Sequence, residues 1–178
     1  MPSTQPPRRK SLRLKDYDYT QPGGYFITLV TQERRCLFGD ISDDQNTLSA
    51  SAFMIDRWWQ EIPHKFPNVS LDLYAIMPNH FHGLVMLGEP PQTCVPGQSR
   101  RIAPTTSLPD IVQWFKTMTT NAYIRSVKEL SWPPFPGRLW QRNYYEHVVR
   151  NEDDLNRLRL YIQDNPRKWL EDDNYLAL

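Results

Sequence analysis

Long apolar runs are missing from this sequence of 178 residues. None approaches the roughly 20 consecutive residues that a membrane-spanning helix needs, so a membrane-embedded protein is not expected. Cysteine is scarce as well. Cys36 and Cys94 are the only two, too few for a disulfide framework, and a cytoplasmic setting is the simpler expectation. The opening stretch MPSTQPPRRKSLRLK is basic but has no apolar segment behind it, so it does not read as a secretory signal. An excess of one charge is also lacking: the formal net charge is +1, which neither points to nor excludes a polyanionic partner. No Walker-type Gly-rich loop occurs, and no nucleotide-driven chemistry is expected.

What is present is a packed domain. Hydrophobic residues make up 39% of the chain, enough for one core and not the composition of a disordered segment. Charge is uneven. Residues 1–20 carry Arg8, Arg9, Lys10, Arg13 and Lys15 and read as a mobile basic arm. Residues 21–170 are expected to form a single domain interrupted by a Pro-rich surface loop at 88–106, and 171–178 to form an acidic tail.

Along the domain, Tyr25–Thr31 is β-branched and aromatic and follows Pro22-Gly23-Gly24, so a strand is predicted. Phe53, Ile55, Trp58, Trp59 and Ile62 recur near helical spacing, predicting a helix from Leu48 to Glu61 that Pro63 stops. Val69–Met77 and Phe81–Leu87 read as a hairpin across Pro78-Asn79. A second helix is predicted over Asp110–Lys128, and a final strand within Leu139–Val149. Asn151 is an N-cap candidate for a third helix with Glu152, Asp153 and Asp154 in its first turn. Pro166 should end that helix near Asn165. The order β-α-β-β-α-β-α predicts an α+β fold, a ferredoxin-like antiparallel sheet with an added C-terminal helix. In the Phe81–Leu87 strand both faces are apolar toward its end, so helices are expected on both faces of the sheet, the added one covering the histidine side.

The chemistry concentrates in two places. In Met77-Pro-Asn-His80-Phe81-His82 the two histidines point the same way along a strand, where they can converge on one divalent ion. Two imidazoles are an incomplete ligand set, so a third ligand is required. In Leu160-Tyr-Ile-Gln-Asp-Asn165, Tyr161 and Asn165 are helix neighbours at i and i+4. A nucleophile beside a metal ligand fits that pair; a surface tyrosine and a helix-ending Asn fit it too. Tyr144 and Tyr145, close to His147, are competing nucleophiles. Tyr123 reads as packing, His64 as solvated, and His147 as either structural or substrate-facing.

Taken together, these residues resemble the HUH single-strand transposases, and within them the REP-associated tyrosine transposase group. The similar stretches are YFITLVTQERRCLFG, AIMPNHFHGLV and LWQRNYYEHVVRNEDDLNRLRLYIQDNPRKW, and they span most of residues 20–170. The resemblance implies His80, His82 and Asn165 as ligands of Mg²⁺ or Mn²⁺ and Tyr161 as the nucleophile. It implies a 5′-phosphotyrosine intermediate with a free 3′-hydroxyl, and single-stranded hairpin DNA as partner, with a homodimer allowed and no membrane. Arg8, Arg9, Lys10, Arg13, Arg34 and Arg35 are DNA-contact candidates. Two other readings stand beside this one. A non-catalytic hairpin binder would not need all four site residues. A metal hydrolase with a water nucleophile would want a further carboxylate near the histidine pair, and none is evident from the sequence.

Overall fold

In a computed structural model, residues 17–42, 45–89 and 106–175 are described. The basic-arm candidates Arg8, Arg9, Lys10 and Arg13, and most of the 88–106 loop, lie outside them.

The predicted first strand is β1 (Gly23–Val30), and the hairpin is β4 (Val69–Met77) with β5 (His80–Leu87). With β6 (Tyr145–Val148) they make one antiparallel sheet of order β4-β5-β1-β6. This is the expected α+β architecture with an antiparallel sheet. An element the hydrophobic pattern had not signalled comes between β1 and the first helix. It is a separate two-stranded ladder of β2 (Gly39–Ser42) and β3 (Gln45–Leu48). It contains few apolar residues, so periodicity had nothing to register.

Helix α1 (Ala50–Gln60) buries Ile55 and Trp59 but leaves Phe53 63% exposed, so Phe53 lies off the buried face although it shares the apolar spacing that predicted the helix. Pro63 does not act as a stop. It sits in the first turn of a short helix α2 (Ile62–Lys65), where its missing N–H costs nothing. Helix α3 (Leu108–Leu130) runs longer than predicted because Ser107 and Asp110 form a reciprocal capping box at its start. The final strand occupies the end of the range predicted for it, Tyr145–Val148, while upstream Trp140 turns inward and its Nε1 donates to Thr119 Oγ1 at 2.9 Å.

Helix α4 (Glu152–Asp164) begins at the predicted cap, Asn151 Oδ1 accepting from the Asp154 N–H at 2.9 Å. It ends at Asp164, where the sequence placed its stop, but not for the expected reason. Asn165 keeps right-handed helical dihedrals (φ −56°, ψ −43°) despite the following proline, and the chain tightens into a 3₁₀ helix, Asn165–Glu171. The proline bias is a preference, and here the burial of Asn165 and Trp169 overrides it.

The sheet separates two cores. Tyr25, Ile27, Leu29, Phe81 and Val85 face α1 and α3, with the Trp59 and Phe81 rings 4.7 Å apart. Phe26 and Leu84 face the other way, against Leu155 and Ile162 of α4. Arg159 ties α4 to β4 through a two-pronged contact with Asp72, and that guanidinium holds the Asp72 carboxyl below the usual carboxylate range. Helices thus cover both faces, as the two-sided apolarity of β5 predicted.

Gly83 is what allows Trp59 to lie on the sheet. A Cβ there would come within 2.6 Å of the Trp59 ring and 2.8 Å of Phe81. Gly83→Ala is therefore expected to lower unfolding free energy by about 1–3 kcal/mol through overpacking, measured by urea denaturation. A change below a few tenths would mean that Trp59 is free to move aside.

Candidate metal centre and tyrosine cavity

The β4–β5 hairpin delivers His80 and His82 to the sheet face that α4 covers. Both side chains are buried. Their Nε2 atoms lie 2.9 Å apart. The outer nitrogens are held from behind, His80 Nδ1 2.8 Å from Asn79 Oδ1 and His82 Nδ1 2.8 Å from Thr28 Oγ1. Asn79 Nδ2 donates to the carbonyls of Arg34 and Asn174, which fixes the orientation of its amide and leaves Oδ1 toward His80. A carboxamide oxygen only accepts, so His80 Nδ1 carries the proton and its Nε2 lone pair is bare. The His82 proton can sit on Nε2 and close the His80–His82 hydrogen bond. It can equally sit on Nδ1 with Thr28 accepting, and then both Nε2 lone pairs face one point. Such backing of the outer nitrogen is how ligating histidines are usually oriented.

Burial pushes the pKa of both histidines down to about 3, with His80 adding to the effect on His82 and Asp172 opposing it. Both are neutral near pH 7, the protonation state that a metal requires.

Two further groups close the centre. Asp172 brings Oδ2 to 3.8 Å from His80 Nε2, and the ligand atoms of His80, His82 and Asp172 all lie within 4.8 Å of one another. Asn165 is buried, with Nδ2 3.3 Å from His82 Nε2 and 3.4 Å from Asp172 Oδ2. Its Oδ1 is buried without any hydrogen-bond partner, a position that ordinarily costs about 1–3 kcal/mol. Turning the amide over would exchange the two atoms at no steric cost. The donor set is then two bare imidazole nitrogens with carboxylate and carboxamide oxygens, which fits a divalent cation. A mixed N/O set suits Mn²⁺ better than the all-oxygen shell Mg²⁺ favours.

The sequence reading missed Asp172, Thr28 and Asn79. Asp172 overturns the expectation that no carboxylate lies near the histidine pair. It sits in an acidic run read as a tail; instead residues 171–175 fold back on the domain, with Tyr175 edge-on to Trp169 at 5.3 Å. Thr28 is revealed only by register, as the cross-strand partner of His82. Asn79 adjoins His80 and had been credited only with making the turn.

Tyr161 stands at the mouth of the centre, 45% exposed. Its ring is 5.3 Å from the His82 ring and 5.8 Å from Phe26. Burial raises the pKa of its hydroxyl, as does Asp172, while a hydrogen bond from Asn165 acts in the opposite direction. A cavity of about 610 Å³ opens beside it, lined among others by His82, Tyr145, His147, Arg157, Asp172 and Asp173. The fold thus brings His80, His82, Tyr161 and Asn165 together.

The competing tyrosines lie differently. Tyr145 is on the same face as His82 and 53% exposed, edge-on to Phe26 at 6.3 Å. Tyr144 is partly buried against the main core, with Lys116 Nζ 5.9 Å from its ring centre. Arg34 and Arg35 follow β1, where the Arg35 guanidinium reaches the Pro134 carbonyl, and neither lines the cavity. Tyr123 is buried and donates to the Pro133 carbonyl, and His64 is exposed. No helix among the described residues is long and apolar enough to cross a membrane.

Comparisons with known proteins agree with this fold. No family model matches the chain. An uncharacterized protein of Haemophilus influenzae is 37% identical over 175 residues, covering 94% of this chain and 93% of its own. A second protein of that organism, provisionally named a REP-associated tyrosine transposase, is 25% identical over 154 residues, covering 85% and 74%. Among solved structures, a REP-associated tyrosine transposase bound to a REP hairpin superposes with a TM-score of 0.60 at 18% identity, covering 88% of this chain and 74% of that one. A provisionally assigned transposase of Deinococcus radiodurans gives 0.51 at 18% identity, covering 85% and 95%. The chain belongs to one family with the uncharacterized Haemophilus protein, and it is similar in sequence and in fold to REP-associated tyrosine transposases.

Proposed function

We propose that this chain is a divalent-metal-dependent single-strand DNA endonuclease and strand transferase acting on hairpin DNA. The observation that carries the proposal is the convergence of two neutral histidines and a carboxylate on one point, with an exposed tyrosine beside them at an open cavity that His82 and Asp172 also line. The solved relative's complex with a REP hairpin supports the substrate class.

In this reading the Tyr161 oxygen attacks phosphorus and the bond to the 3′-oxygen breaks. The phenolic proton leaves and the departing 3′-oxygen gains one. The product is a 5′-phosphotyrosine and a free 3′-hydroxyl, and the covalent link keeps the energy of the broken bond for rejoining. A divalent ion held by His80, His82 and an oxygen of Asn165 or Asp172 would neutralise charge on a non-bridging phosphate oxygen. The chain's own residues do the rest: Asn79 and Thr28 orient the imidazoles, and α4 holds Tyr161 over them.

Charge favours a metal as well. Among the described lining residues, Asp172 and Asp173 outweigh Arg157, so without a cation the cavity repels a phosphodiester.

The metal-hydrolase alternative gains from Asp172, which supplies the carboxylate it needs. A denaturing gel separates the two, since only attack by tyrosine leaves DNA covalently on the protein. With a labelled hairpin carrying single-stranded flanks, Mn²⁺ or Mg²⁺ should give a cut strand and a protein–DNA adduct. The matching duplex should stay whole, and EDTA should stop the reaction. Cleavage without adduct would favour the hydrolase, and full activity in EDTA would remove the metal.

A further inference from the structure

His147 was left between a structural and a substrate role, and the cavity gives it a neighbourhood. On β6 it is the cross-strand partner of Phe26, so it projects to the same face as His82. His147 Nε2 lies 2.8 Å from Asp154 Oδ2. The same carboxylate accepts from the Arg150 backbone N–H at 3.1 Å, and its other oxygen accepts from Arg157 Nη2. The Asp154 side chain is 6% exposed; that of Arg157 is 74% exposed. The hydrogen bond from His147 is the largest of the influences that lower the Asp154 pKa to about 2, with those of the Arg150 N–H and Arg157 beside it.

Arg157 is four residues before Tyr161, one helical turn away on the same face of α4. Both line the cavity. A guanidinium has five N–H donors in a rigid fork, and one nitrogen is engaged by Asp154. A long arginine in water loses entropy on grasping a phosphate; one already gripped by a buried carboxylate has given up much of that freedom beforehand. Asp154 is in turn fixed by His147 and by the Arg150 backbone, so β6 and α4 together hold the arginine's base.

We propose that Arg157, pre-set by Asp154 and His147, is the phosphate contact that seats the single strand beside Tyr161. The inference deepens the nuclease reading and depends on it for the identity of the polyanion. His147 and Asp154 are positioning residues in this scheme, and Arg157 touches the strand.

The test pairs changes on the two sides of the contact. Tyr161→Phe protein, which should bind without cutting, is titrated with hairpin oligonucleotides in the presence of Mn²⁺. Each oligonucleotide carries one neutral methylphosphonate in the flank. Tyr161→Phe/Arg157→Ala is titrated with the same set. At one or two adjacent linkages, neutralisation should weaken the parent roughly tenfold or more, the scale of a charge-assisted hydrogen bond. At those linkages it should do nothing further to the Arg157→Ala protein. Arg157→Lys should restore part of the loss, since the charge returns without the fork. His147→Gln should reduce the parent's sensitivity at the same linkages while leaving melting within a few degrees. If neutralisation weakens both proteins equally at every linkage, the Arg157 contact does not exist. If neither protein binds the hairpin at all, the nuclease reading falls with it, a different and recognisable result.

Discussion

Replacing Tyr161 with Phe should abolish both strand cleavage and the covalent adduct, a loss on the order of 10⁴-fold or more, as expected when a sole nucleophile is removed. Stability should change by no more than about 0.5 kcal/mol. The reason is structural. The tyrosine ring rests edge-on against Phe26 and His82, contacts that Phe keeps, and the ring is 45% exposed. The hydroxyl contributes little to the fold, because its one Asn165 contact lies in a cavity open to water. Tyr145→Phe and Tyr144→Phe should both retain the adduct. Both line the cavity, and Tyr145 is the sharper control, since it is at least as exposed as Tyr161. Digestion of the trapped adduct should yield a DNA-linked peptide containing residue 161. A linked peptide containing 144 or 145 would reassign the nucleophile and leave the rest of the site intact.

The second large effect concerns the ligand set. His80→Ala or His82→Ala should reduce cleavage more than ~10²-fold, beyond what loss of an outer-shell partner causes. A binding readout accompanies it. An ion that binds only the folded protein raises its stability by about 2.7 kcal/mol at a hundredfold excess over Kd, some degrees in melting temperature for a domain of this size. The unmodified protein should show that rise with Mn²⁺, and both alanine variants should lose it. Asp172→Asn and Asn165→Ala then apportion the remaining oxygen. Asn165 Oδ1 is the buried acceptor with no partner, whereas Asp172 Oδ2 already lies 3.8 Å from His80 Nε2. Loss of the Mn²⁺ shift in one variant alone identifies the oxygen that binds. An undiminished shift in His82→Ala would mean that the ion sits somewhere other than between these histidines.

Much of this was legible in the order of residues. The lack of clean alternation in β5 identified a strand with both faces covered, because a two-sided apolar strand leaves no wet face. The i, i+2 spacing of His80 and His82 and the i, i+4 spacing of Tyr161 and Asn165 put each pair on one face, and the fold needed only to bring the faces together. What stayed hidden depended on distance in the chain. Asp172 reaches the histidines because the 3₁₀ turn after Pro166 carries the chain back, and a proline read as a terminator conceals that path. Thr28 supports His82 through cross-strand register, which periodicity within one strand cannot report. Phe53 showed the opposite error: helical spacing pointed inward, but the residue falls on the water side of α1, where a single exposed aromatic carries little penalty.

The small second core has a consequence for how the parts can move. The histidines belong to the sheet, whose other face is the main core; the tyrosine belongs to α4. Between them lies a seam of Phe26, Leu84, Leu155 and Ile162, with the Asp72–Arg159 and His147–Asp154 pairs at its margins. A layer joined by so few buried side chains opens at lower free energy than the sheet beneath it. Hydrogen exchange should therefore be faster in α4 than in β1 and β5, which makes the helix carrying Tyr161, and not the strand carrying the histidines, the part of the site expected to open first.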